Sequence, residues 1–281
     1  MKFTKLFFLI IVMSAINCGS AAPRSVVKPP LDISFNFDGT SITLHEPLIL
    51  QFKVHNGLES PIALNLGMNT IQFFDFVLTS PQGEIISGRQ QSSWGLNSQP
   101  GKLVIAPGED YHQELLLNRW FDFSSAVRYF LTARLNTAID IDGSSVATSP
   151  VTNLDFEIGP RDTSRLTKVC SGLFQQISSA NGVEAGQEPA LKLSYINDPV
   201  AVPYLRDVLM HHYFDYHIAI EGLERIGNDA AIEALLLGQN DNYSDVADLA
   251  RQSLSRMQGR ISNPKLLDAV KQALSTSKPR G

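Results

Sequence analysis

The apolar residues of this chain change their repeat once, at Gly159-Pro160, and that change limits the fold more than any other feature. From Leu31 to Gly159 they recur at every second position. The runs are Ile33, Phe35, Phe37; Leu48, Leu50, Phe52, Val54; Ile62, Leu64, Leu66; Phe74, Phe76, Leu78; Leu115, Leu117; Tyr129, Leu131, Ala133, Leu135; and Leu154, Phe156, Ile158. Side chains alternate between the two faces of an extended strand, so each run predicts a strand with one apolar face. Asp38-Gly39, Asn56-Gly57, Pro81-Gln82-Gly83, Pro107-Gly108 and Asp142-Gly143 separate the runs with residues suited to tight reversals. Roughly seven or eight such strands can bury their apolar faces only against one another, which predicts a two-sheet antiparallel sandwich.

Beyond Pro160 the spacing becomes three and four. Leu166, Val169, Cys170, Leu173, Phe174 and Ile177 form one stripe of an amphipathic helix that starts at Asp162 or Thr163 and puts Cys170 on its buried side. Ser178 to Gly186 reads as a flexible link, giving a connecting segment over 160–187. The chain then repeats itself. Leu193, Ile196, Val202 and Leu205 return 30 residues later as Leu223, Ile226, Ile232 and Leu235. Ala219, Leu223 and Ile226 return after 31 as Ala250, Leu254 and Met257. One helix pair of this size cannot cover its own apolar stripe, so successive pairs must stack.

With short Ala-rich helices and an Asn197-Asp198-Pro199 turn, residues 188–276 resemble the HEAT-like repeat family. That resemblance implies a short α-solenoid that binds other proteins. The β half carries Phe52-Lys53-Val54-His55-Asn56, Ser60-Pro61-Ile62, Phe74-Asp75-Phe76, Ala106-Pro107-Gly108-Glu109 and Tyr129-Phe130-Leu131-Thr132-Ala133. On these residues 31–159 resembles, more weakly, the bacterial intracellular proteinase inhibitor domain, which implies an immunoglobulin-like β-sandwich and puts protease inhibition among the functions to weigh. The expected fold is therefore all-β followed by all-α: an immunoglobulin-like sandwich, then a HEAT-like solenoid.

Residues 1–22 read as an export signal, with Lys2 and Lys5 before an apolar run from Leu6 to Ile16. Such a run is too short to span a bilayer, which takes about 20 residues. Two processing routes stay open: a cut after Ala21, read from Gly19 and Ala21, or lipidation of Cys18. Asn17 and Ala15 depart from the lipoprotein pattern at two positions. Residues 23–30, with Pro23, Pro29 and Pro30, read as an extended tether, and 277–281 as a tail. Periplasm, cell envelope or extracellular space is the expected location, with or without a lipid anchor.

A net charge of -5 supplies no basic field for nucleic acid, and 2 cysteines exclude a disulfide scaffold or a cysteine-rich zinc module. No Gly-x-Ser-x-Gly elbow, His-Glu-x-x-His pair, phosphate loop or dinucleotide turn is present, so no enzyme activity and no cofactor is expected. His211, His212 and His217, near Asp207 and Asp215, are the densest set of metal-ligand types. Adjacent histidines diverge on a helix, however, and no metal is expected there. Trp94, inside the polar stretch Ser87–Gly101, is a candidate interface anchor, or else packs back on the sandwich edge. Residues 251–281 hold Arg251, Arg256, Arg260, Lys265, Lys271, Lys278 and Arg280 against Asp268 alone. That basic end is a second candidate binding surface, for an acidic protein or a membrane surface, or else a solvated cap on the last repeat. The expected function is an exported protein-binding or adaptor module of a bacterial cell envelope; the alternative is a proteinase inhibitor acting through 87–101.

Overall fold

The computed structural model describes residues 31–37, 39, 41–66, 73–88, 101–146, 150–211 and 216–275. Trp94 and Cys18 lie outside them, as do His212 and Asp215. The described residues divide at Pro160 into a β-rich region of antiparallel sheets and a region of seven helices.

The longer strands are β1 (Leu31–Phe37), β3 (Ile49–Asn56), β4 (Ile62–Asn65), β5 (Phe74–Thr79), β7 (Lys102–Ile105), β8 (Asp110–Leu116), β9 (Arg128–Leu135) and β12 (Val151–Gly159). Four short ones join them: β2 (Ser41–Thr43), β6 (Ile85–Ile86), β10 (Ile139–Ile141) and β11 (Ser144–Val146). Hydrogen bonding groups them into three sheets, β1-β3-β8, β11-β10-β4-β7 and β2-β12-β9-β5-β6, rather than the two expected. Asn56 is one reason. Fully buried at the end of β3, its side-chain amide donates to the carbonyls of Ser60 (3.0 Å) and Ile105 (2.9 Å), while its Oδ1 accepts from the Leu58 N–H (3.1 Å). These bonds satisfy the backbone of the turn and swing the chain out of the first sheet, so β4 pairs with β7 and β10.

Register puts the alternate apolar residues on one side of each strand, as with Phe35 opposite Phe52. All three sheets contribute to one core, in which Phe52 meets Phe35 at 5.1 Å and Phe74 at 5.0 Å between ring centroids. Leu117 departs from the expected strand, because β8 ends at Leu116 and a 3-10 turn, Leu117–Arg119, follows. That turn sends Trp120, Phe121 and Phe123 into the same core.

The helices are α1 (Thr163–Ser179), α2 (Val183–Ser194), α3 (Val202–Met210), α4 (Tyr216–Ile226), α5 (Asp229–Gly238), α6 (Ser244–Met257) and α7 (Pro264–Ser275). Asp162 caps α1 by accepting the Arg165 N–H at 3.1 Å. Asn228 does the same for α5, from the Ala231 N–H at 2.9 Å. The stretch read as a flexible link is mostly helical, for only Ala180, Asn181 and Gly182 separate α1 from α2, and Gly182 has a φ of 106° that turns the chain. Odd-numbered helices pack on one another in one layer, and α2, α4 and α6 in a second. Leu166 and Cys170 of α1 share one core with the repeating Leu193, Leu205, Leu223, Leu235, Ala250 and Leu254. Gly222 lets α4 approach α2, since a Cβ there would lie 2.9 Å from the Ser194 Cα.

Candidate functional site

Polar contacts across the junction of the two halves fix how the helical layers are presented. Thr43 on β2 accepts the Asp162 N–H at 2.8 Å and donates to the Pro160 carbonyl at 2.5 Å. Arg165 on α1 pairs with Glu46 at 2.6 Å, and Lys192 on α2 with Glu114 of β8 at 2.5 Å. Between the halves, Arg161 forks onto Asp198, which lies just before α3. Burial would raise the Asp198 carboxyl, but the Arg161 hydrogen bonds, the Val200 N–H and the Arg161 charge hold it below its ordinary value. His45, at a positive φ of 74° beside Arg161 and Asp198, is held below the ordinary imidazole value, chiefly by burial.

Tyr195 adds a second contact. The Arg225 guanidinium stacks on its ring at 4.1 Å and also donates to the Ser194 carbonyl, while Arg119 of the 3-10 turn hydrogen-bonds the Tyr195 side chain. The crevice beside this contact, lined by Ile49, Glu114, Arg119, Trp120, Leu191 and Lys192, holds about 60 Å³. That is room for a few waters at most, so the crevice is a packing seam and not a substrate pocket.

The five basic residues singled out at the C-terminal end do not converge. Arg251 and Arg256 stand five residues apart on α6, roughly 140° around a helix of 3.6 residues per turn. Arg251 pairs with Asp248 at 2.6 Å. Arg256 forks onto Glu224 of α4, with contacts at 2.9 and 2.6 Å, and Arg260 sits 3.9 Å from the same carboxylate. Buried Ser253 donates to Glu224 at 2.7 Å. Arg256 and Glu224 thus tie α6 to α4, while Lys265 and Lys271 are exposed on α7.

Of the histidine set, His211 closes α3, with its Nδ1 2.8 Å from the Asp207 carbonyl, and His217 is exposed on α4. Among the described residues no group of three or more His, Cys, Asp or Glu could hold a metal ion, and no helix is long and apolar enough to cross a membrane. Cys170 is fully buried, and burial pushes its thiol up to about 12.

Sequence reasoning missed the feature most suited to contact with another molecule. Short turns make the paired helices antiparallel, so the turns within pairs (α1–α2, α3–α4, α5–α6) share one rim, and the turns between pairs share the other. Lys192, Tyr195 and Asp198, all near the turn from α2 to α3, meet the β half or its connector. On the opposite rim lie the exposed large apolar residues described for this half: Val183 (48% exposed), Met210 (37%), Leu237 (52%) and Tyr243 (63%). A run such as Leu235-Leu236-Leu237 was the available signal, since three consecutive residues cannot all face one side of a helix.

No protein-family model matches the chain, and no curated protein matches it in sequence. Among solved structures it is similar to the sporulation control protein Spo0M of Bacillus subtilis, at 10% identity over 52% of this chain and 56% of that one, with a TM-score of 0.26. A portion of Escherichia coli alpha-2-macroglobulin, from domain MG7 to the C-terminus, is similar at 10% identity over 89% of this chain and 55% of that one, TM-score 0.25. Listeria innocua β-glucosidase is similar at 11% identity over 46% and 16%, TM-score 0.23. Likenesses this distant identify neither a family nor a function.

Proposed function

We propose that this chain is an exported, non-catalytic adaptor of a bacterial cell envelope, in which an immunoglobulin-like sandwich holds out a short HEAT-like solenoid to capture a protein partner. The observation that carries this reading is the pair of unequal rims on the helical layers. One rim is engaged at the junction by Lys192, Tyr195 and Asp198, and the other exposes Val183, Met210, Leu237 and Tyr243. A helical array clamped by one rim and open at the other is suited to presenting surface. The proposed signal at residues 1–22 supplies the address, and the anchoring route through Cys18 remains the alternative to a cut after Ala21.

The test is crosslinking of the full chain in a native envelope extract, with the crosslinked residues mapped by mass spectrometry. A defined partner attached through the helical half supports the adaptor. A protease attached through the β half alone would replace it with the inhibitor reading. Intact mass of the purified mature chain separates a cut after Ala21 from a lipid on Cys18, and an uncut N-terminus would sink export through this signal.

A further inference from the structure

The exposed apolar side chains of the helical half stand at three successive turns along one rim: Val183 at the first, Met210 at the second, Leu237 and Tyr243 at the third. Packed helix axes lie roughly 8–10 Å apart, so these stations recur at about that interval. An α-helix rises about 1.5 Å per residue, which brings residues i, i+7 and i+14 to one face at roughly 10.5 Å steps. A single helix of about four turns, laid along the rim, meets each station with one apolar side chain.

Charge selects among helices that could lie there. Asp241 and Asp245 flank Tyr243 at the third station. Arg256, Arg260 and Lys265 stand at the α6–α7 turn, on the opposite rim, where they cannot repel a positive ligand at close range. The same two carboxylates oppose an anionic lipid surface.

Resting on the adaptor reading, we infer that this rim seats a cationic amphipathic helix of the partner, with apolar residues seven apart over Val183, Met210 and the Leu237/Tyr243 pair, and lysine or arginine beside Asp241 and Asp245. Affinity comes from covering the apolar stations, and orientation from the charge at one end.

The probe is a synthetic, fluorescently labelled helix of about 18 residues with leucine at i, i+7 and i+14 and lysines beside them, titrated by anisotropy against the full mature chain. Saturable binding is expected. The double variant Leu237→Ser, Tyr243→Ser is expected to weaken it about tenfold or more, and a peptide with glutamate in place of lysine to bind about tenfold more weakly than the lysine form. Both substituted side chains are exposed, and an unchanged thermal melt shows that the variant is folded. The inference is overturned by no saturation below about 1 mM, by equal binding of the lysine and glutamate peptides, or by wild-type affinity in the double variant. Sedimentation of the chain with phosphatidylglycerol vesicles, lost in the same variant, would overturn it in favour of a membrane. The adaptor reading fails separately, when crosslinking of the full chain returns no partner on the helical half; partner capture that survives the double variant removes the rim alone.

Discussion

Arg161 donates to Asp198 twice, from Nε at 2.5 Å and from Nη2 at 3.0 Å, and the carboxylate it reaches belongs to a residue only 1% exposed. Asp198 also accepts the Val200 N–H at 3.0 Å, so one side chain both starts the turn into α3 and receives the connector that leaves the β half. Capping and docking therefore depend on the same oxygens.

Asp198→Ala removes both roles and is expected to lower stability by about 2–4 kcal/mol, the range of a lost cap plus a broken, largely buried pair. Asp198→Asn keeps an acceptor for the Val200 N–H and should cost less than the alanine variant. Urea midpoints at unchanged slope give both values. Equal losses would show that the cap contributes nothing.

Stability should fall in two stages as pH drops. His45 has a folded pKa below the ordinary 6.5, so the unfolded chain binds its proton first, and the contribution present above pH 6.5 is lost as pH falls toward the folded value. Glu114 is lowered by its hydrogen bond to Lys192; Asp198 and Glu224 are lowered because arginine hydrogen bonds outweigh burial. Their contribution is complete above the ordinary carboxylate range of about 4 and is lost below it. His45→Asn tolerates the positive φ and should flatten only the stage between about pH 7 and 5, read from thermal midpoints across pH.

Two glycines should respond unequally to alanine. At Gly222 the new Cβ meets the Ser194 Cα at 2.9 Å, which is backbone and cannot step aside; at Gly238 it meets the tip of Leu209 at the same distance, which can rotate. Alanine gains about 1 kcal/mol of helix propensity at either site. Gly222→Ala is nevertheless expected to destabilise by about 1–3 kcal/mol, and Gly238→Ala to be nearer neutral. Thermal or urea unfolding of the two variants decides it; an equal cost would remove the close approach of α4 to α2 as the cause.

Cys170 should be silent to thiol reagents while the chain is folded. Its side chain is fully buried and its thiol is pushed up to about 12, so almost no thiolate forms at pH 8. Titration with a chromogenic disulfide is expected to give no reaction in buffer and full reaction in denaturant. Rapid labelling in buffer would mean that α1 opens readily.

Much of the local structure was legible because short-range pattern sets it. Leu50, Phe52 and Val54 alternate and are buried on one face of β3; Leu166, Cys170 and Leu173 follow a helical spacing and are buried on α1. Asn56-Gly57 was legible as a reversal, although not as the buried amide that divides two sheets. The candidate surfaces were legible only as composition. Seven bases in one segment look like a patch when counted along the chain, but a helix spreads Arg251 and Arg256 to different sides and hands Arg256 to Glu224, 32 residues earlier.

By itself, the sequence determined where extended chain gives way to helix, which faces are apolar, and that helix pairs of one design must stack. Those properties depend on neighbours within a turn or a pleat, where the spacing of side chains along the chain is also their spacing in space. Tertiary structure alone decided which charges are neutralised, which rim of the helices meets the β half and which remains open. Those outcomes rest on contacts such as Thr43 with Asp162, 119 residues apart, whose geometry exists only once both cores have formed.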